Sequence, residues 1–148
     1  MADYVKNAWF MAAWAEEVPG EGFLARTLLD RKWLLWREPT EGWAMLEDRC
    51  PHRFVPLSRG TFSEGRIQCG YHGLTFDGKG ECVHNPFGGT LPESARVATL
   101  PVVERHGGLW FWPGDADRAD PATIPDFAFI DEGAAVERAA YVMGVNYE

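Results

Sequence analysis

The chain has 148 residues, 46% of them hydrophobic, and a formal net charge of −8. That length holds one ordinary domain with a real core and leaves room for a fragment of a second. The acidic balance argues against nucleic acid as a partner, no run approaches the roughly 18 apolar residues of a membrane span, and Met1-Ala2-Asp3-Tyr4-Val5-Lys6 lacks the pattern of a signal peptide.

In chain order the sequence reads as mostly β. Residues 12–18 suggest one or two helical turns. Residues 23–29 and 32–37 are apolar-rich runs joined at Asp30-Arg31, a hairpin signal. Residues 43–47 read as a third strand, leading into Arg49-Cys50-Pro51-His52-Arg53. A short strand is expected at Arg66–Gln68. Residues 74–76 and 81–83 flank Asp77-Gly78-Lys79-Gly80, a strong turn signal. Residues 97–104 and 109–112 flank the turn Arg105-His106-Gly107-Gly108. Many short strands with regular turns suggest a small sandwich or barrel. Beyond Pro113 the chain turns polar and turn-rich through Pro121, as in a linker or surface loop. Residues 125–130 form a short apolar run, and 139–145 suggest one more strand. The seven tryptophans are placed mostly on strands, where core packing accounts for them better than electron hopping.

The chemistry sits in Cys50-Pro51-His52 and, after a gap of 16 residues, Cys69-Gly70-Tyr71-His72. Two thiolates and two imidazoles in mixed pairs are the ligand set of a Rieske [2Fe-2S] centre, with both cysteines on one iron and both histidines on the other. A neutral imidazole in place of an anionic thiolate leaves the cluster less negative, which raises its potential by hundreds of millivolts over an all-cysteine cluster. Each ligating imidazole keeps a second nitrogen that can face a partner. Both pairs lie in short loops containing proline or glycine, residue types that set turn geometry and let backbone approach closely. A Cys2His2 zinc site uses the same atoms, although zinc fingers more often pair cysteine with cysteine and histidine with histidine. The third cysteine, Cys82, reads as a small buried hydrophobe. His84 and His106 read as a strand end and a turn residue. With two of three cysteines used as ligands no disulfide is expected, and a reducing cytoplasm fits.

These motifs resemble the N-terminal domain of the Rieske non-haem iron oxygenases. The resemblance extends to Lys6-Asn7-Ala8-Trp9-Phe10, Pro56-Leu57-Ser58, Gly73-Leu74, Cys82-Val83-His84-Asn85-Pro86 and Val102-Val103-Glu104-Arg105, followed by Leu109-Trp110-Phe111-Trp112-Pro113-Gly114-Asp115. Within that family the chain looks most similar to the branch of vanillate and dicamba O-demethylases and toluenesulfonate methyl-monooxygenase. The resemblance implies an all-β Rieske domain, a small antiparallel sandwich or barrel with a cluster-binding loop subdomain, over residues 1–115. A linker over 116–135 and the start of a catalytic domain over 136–148 would follow. It implies Cys50, His52, Cys69 and His72 as cluster ligands. Electrons would come from an NAD(P)H-dependent reductase or a ferredoxin. They would pass to a mononuclear iron(II) held by two histidines and a carboxylate, at which an aromatic substrate is oxygenated, in a homotrimer. Only His52, His72, His84 and His106 are available, and the family's iron-binding histidines follow a segment like Gly144-Val145-Asn146-Tyr147-Glu148. The chain as given is therefore expected to relay electrons without oxygenating. A free-standing Rieske ferredoxin is the alternative, and a zinc-stabilised binding module a third reading.

Compared with Rieske proteins of the bc-complex type, Val55 and Tyr71 replace a disulfide pair, and Leu74 and Phe76 replace residues whose hydroxyls bond to cluster sulfurs. Losing those bonds should place the potential at the low end of the Rieske range, about −150 mV. Between Arg49 and Arg66 lie four arginines and one acid, a basic stretch in an acidic protein. Arg53, beside His52, is the candidate docking residue for an acidic electron donor, with a solvated loop as the plainer reading.

Overall fold

Four successive residues, Trp33 to Trp36, are all at most 4% exposed, so their strand is buried on both faces. Side chains alternate across a strand, and here the two faces serve different cores. Leu34 and Trp36 join a core with Leu46, Cys50, Leu57, Ile67, Cys69, Leu74 and Phe76. Trp33 and Leu35 join a second with Ala12, Met45, Leu109 and Phe111. The strand is thus the middle of a three-layer stack, with the cysteine-bearing loops on one side only.

The computed structural model describes residues 4–40, 42–92, 94–131 and 136–139. Its ten strands are β1 (Phe10–Trp14), β2 (Leu24–Leu28), β3 (Arg31–Glu38), β4 (Gly42–Glu47), β5 (Thr61–Ser63), β6 (Arg66–Gln68), β7 (Thr75–Phe76), β8 (Cys82–His84), β9 (Val102–Arg105) and β10 (Gly108–Phe111). They form three antiparallel sheets ordered β1-β10-β9, β2-β3-β4 and β5-β6-β7-β8. The first two are stitched at one edge by a bridge between Leu46 and Thr99 and by the bonds Glu47 N to Ala98 O and Leu100 N to Met45 O. The all-β antiparallel class expected from the sequence is the one observed, as open stacked sheets; among the described residues no closed barrel forms.

Several local expectations shift. Of the helical turns expected over 12–18, a single 3₁₀ turn forms at Ala15–Glu17, and residues 12–14 belong instead to β1, which runs to Trp14. Backbone pairing of β1 to β10 overrides the local preference. The first hairpin turns at Leu29-Asp30, one residue earlier than expected, because Leu28 pairs with Arg31 and both turn residues take positive φ, as a two-residue type I′ turn demands. β5 is an unanticipated partner of β6. The run 97–104 is broken: only Val102–Arg105 is strand, since Pro101 has no N–H to give a ladder. The apolar run at 125–130 holds a 3₁₀ turn at Ala128–Ile130. The strand suggested at 139–145 lies outside the described residues apart from its first.

Residues 116–131, within the stretch expected as linker, are fastened to the β1-β10-β9 sheet. Trp9 Nε1 donates to Asp120 O (2.9 Å), Arg105 Nη1 to Pro121 O (2.8 Å), and Phe127 N to His106 Nε2 (3.1 Å). Trp110 and Phe127 stack with centroids 6.1 Å apart.

Candidate metal centre

Two loops rise from the end of β4 and the end of β6, and their backbones match. In the first, Cys50 N donates to Val55 O (2.9 Å) and Phe54 N to Cys50 O (2.8 Å). In the second, Cys69 N donates to Leu74 O (2.8 Å) and Gly73 N to Cys69 O (3.0 Å). The fifth residue of each loop has positive φ, +59° at Phe54 and +78° at Gly73. Glycine takes that conformation freely, whereas a phenylalanine there is uncommon. The Arg49 guanidinium lies over the Phe54 ring at 4.1 Å, a cation–π contact that offsets part of the strain. The histidine sits two residues after cysteine in one loop and three in the other.

This pairing sorts the donors. Cys50 and Cys69 are 1% and 2% exposed and form part of the apolar core. Burial pushes the Cys50 thiol up to about 11, with the neighbouring Cys69 adding to the rise; the amides of His52 and Arg53 pull the other way. The imidazoles of His52 and His72 lie outside the thiols, with ring centroids 4.8 Å apart; His52 is exposed and His72 half-buried. Tyr71 packs on His72 at 3.8 Å, and Phe87 faces His72 at 5.8 Å and His52 at 6.5 Å. A hollow of about 480 Å³ opens beside the rings, lined by Leu74, Phe87 and Leu91 among others.

The donor chemistry fits a two-iron cluster. The thiols form one buried pair and the imidazoles a second, outward pair, and a Rieske cluster asks two donors of each iron. Leu74 and Phe76 are buried, at 3% and 0% exposure, and apolar side chains offer no hydroxyl to a sulfur.

The other candidates stand apart. His84 is exposed at the end of β8, and the Cys82 thiol, half-buried against the core, donates to His84 O (3.3 Å). His106 is held between Phe127 N and the Asp131 carboxylate, with Nδ1 2.6 Å from Oδ2. Arg53 is exposed beside His52. Sequence reasoning passed over Asp48, Gly60 and Phe87. Phe87 follows Asn85-Pro86, a turn signal with no hint that it brings an aromatic ring to the imidazoles.

Comparison with known proteins agrees with this geometry. Residues 8–101 match the Rieske [2Fe-2S] domain. The chain belongs to that family. It is 54% identical over 125 residues to the oxygenase component of dicamba O-demethylase from Stenotrophomonas maltophilia, covering 84% of this chain and 37% of that protein. It is 40% identical over 128 residues to the iron–sulfur subunit of a toluene-4-sulfonate monooxygenase system from Comamonas testosteroni, covering 86% of this chain and 37% of the relative. Among solved structures, dicamba monooxygenase bound to dicamba superposes with a TM-score of 0.81 at 50% identity, covering 89% of this chain and 40% of that one. The chain therefore spans little more than a third of these relatives. It is similar to the Rieske part of oxygenase components of O-demethylase and monooxygenase systems, and the family's cofactor is a [2Fe-2S] cluster.

Proposed function

We propose that Cys50, His52, Cys69 and His72 hold the [2Fe-2S] cluster, and that this domain relays electrons within the terminal oxygenase component of an aromatic-compound oxygenase or O-demethylase. The observation that carries the assignment is the split of four donors, on two matched loops, into a buried thiol pair and an outward imidazole pair. When bound, such a cluster accepts and releases one electron at a time. The buried thiols keep water from the sulfur side. The imidazoles mark the face through which electrons pass, and Tyr71 and Phe87 limit how those rings turn.

The donor in this reading is an NAD(P)H-dependent reductase or a ferredoxin, and Arg53 is its docking residue. The acceptor is a mononuclear iron(II) in a catalytic domain, where the aromatic substrate is oxidised. We assign residues 1–115 to the Rieske domain, 116–135 to the link and 136–148 to the start of the catalytic domain, in a full-length homotrimer. The relatives' names as oxygenase components support this reading. A reducing cytoplasm suits three unpaired cysteines. Among the described residues no helix is long and apolar enough to cross a membrane.

The test is the visible and electron-paramagnetic spectrum of the purified chain before and after dithionite, with iron and sulfide assayed. Two irons, two sulfides and nitrogen hyperfine coupling in the reduced state are expected. A colourless zinc protein after anaerobic reconstitution would sink the assignment.

A further inference from the structure

We infer that Asp48 is a positioning residue for the cluster site: through Ser58 it sets the spacing between the two cysteine-bearing loops. The inference rests on the ligand assignment proposed for Cys50, His52, Cys69 and His72.

Asp48 is the one buried charged side chain among the described residues, at 9% exposure. A buried carboxylate is costly unless hydrogen-bonded, and this one is met at both oxygens by one residue. Ser58 N donates to Oδ1 and Ser58 Oγ to Oδ2, both at 2.7 Å. Asp48 itself is tied to the central sheet, because its N–H donates to Lys32 O at 2.8 Å. The carboxylate therefore staples the exit of β4, two residues before Cys50, to the 3₁₀ turn Leu57–Arg59 that closes the first loop.

That turn touches the second loop directly. Gly60 N bonds back to Leu57 O at 2.8 Å, and a Cβ placed on Gly60 would stand 1.8 Å from Gln68 O. A Cβ on Gly70 would stand 2.9 Å from Arg59 O. Backbone 59–60 is thus in contact with backbone 68–70, on both sides of Cys69. The physical chain runs from Asp48 to Ser58, through Arg59 and Gly60, to Gln68 and Gly70. Leu57 is also held by burial, but burial is non-directional. The two short bonds to Asp48 are directional and suited to hold paired thiols within the fraction of an ångström that a bridged cluster tolerates.

The experiment compares this chain with Asp48→Ala, Asp48→Asn, Ser58→Ala and the double variant Asp48→Ala/Ser58→Ala, each reconstituted with iron and sulfide. Cluster loss to a chelator, the line shape of the reduced electron-paramagnetic signal, and melting of the cluster-free protein are measured. Asp48→Ala and Ser58→Ala should each lose cluster at least about tenfold faster, the size expected when a bond to a charged group is removed, with broadened signals. The double variant should be no faster than Asp48→Ala, because both act through one contact. Asp48→Asn, whose amide can still meet Ser58, should recover most of the retention. Wild-type loss rates and line shapes in Ser58→Ala would overturn the inference, as would variants whose melting falls while line shape is unchanged. If Asp48→Ala does not fold, Ser58→Ala and Asp48→Asn decide alone. A wild-type chain without any iron–sulfur signal would overturn the ligand assignment itself, a distinct outcome.

Discussion

Gly60→Ala is the sharpest perturbation available, because it adds one methyl group and changes no charge. Gly60 has φ −91°, a value any residue adopts, so backbone preference predicts no penalty. Sterics predict a large one. The new Cβ would lie 1.8 Å from Gln68 O, 2.9 Å from Gln68 C and 3.1 Å from Gly70 N. All three are backbone atoms, so no rotamer change relieves the clash. The strand must retreat by more than about 1 Å to reach the 3.0 Å below which real Cβ contacts are essentially never seen. Gln68 is held by its pairings with Thr61 and Thr75, and Cys69 follows it. Overpacking of this kind costs about 3 kcal/mol or more, a large share of the roughly 5–15 kcal/mol that holds a domain. Thermal and urea unfolding of the cluster-free chain, beside iron retention after reconstitution, is the assay. The midpoint should fall by about 10 °C or more, with cluster loss accelerated. Gly20→Ala is the control, since nothing lies within 4 Å of its added Cβ. A Gly60→Ala variant within about 1 kcal/mol of wild type, retaining its cluster, would refute the claim that the two loops are locked backbone to backbone.

Two further outcomes are expected. The raised Cys50 thiol has a definite sign: burial and Cys69 favour its protonated form, so between about 9 and 11 the folded, cluster-free chain binds more protons than the unfolded one. Its stability should fall as pH climbs through that window, and denaturant midpoints at pH 8 and 10.5, with Cys50→Ala losing the extra slope, check it. Arg53→Glu should slow reduction by an acidic donor and flatten the salt dependence of the rate; stopped-flow rates that do not change would leave Arg53 as an ordinary solvated side chain.

How much was legible from the residues depended on how local the signal was. The proposed donor set could be picked out directly, because C-x-H and C-x-x-H place candidate ligands within single loops, and loop chemistry is short-range. Most strands were legible from apolar runs bounded by turn residues. The one helical turn expected within 12–18 forms only at 15–17; Ala12 and Ala13 favour helix in isolation, whereas β10 supplies the ladder that draws them into β1. β5 escaped because Thr61–Ser63 is a strand only by virtue of β6. Asp48 and Ser58 are ten residues apart, and nothing in either flank announces a carboxylate clamped by a serine.

The sequence by itself marked four candidate donors, the all-β class, and the two turn-rich loops that hold those candidates, since each depends on residue type and near neighbours. Only the tertiary structure decided that β3 is buried on both faces and that the two loops share one backbone pattern. It also decided that thiols lie inward and imidazoles outward, and that residues 116–131 lie fastened to a sheet. Those outcomes depend on which surfaces meet across tens of residues. That is settled by packing and by the pairing of buried polar groups, neither of which a linear pattern encodes.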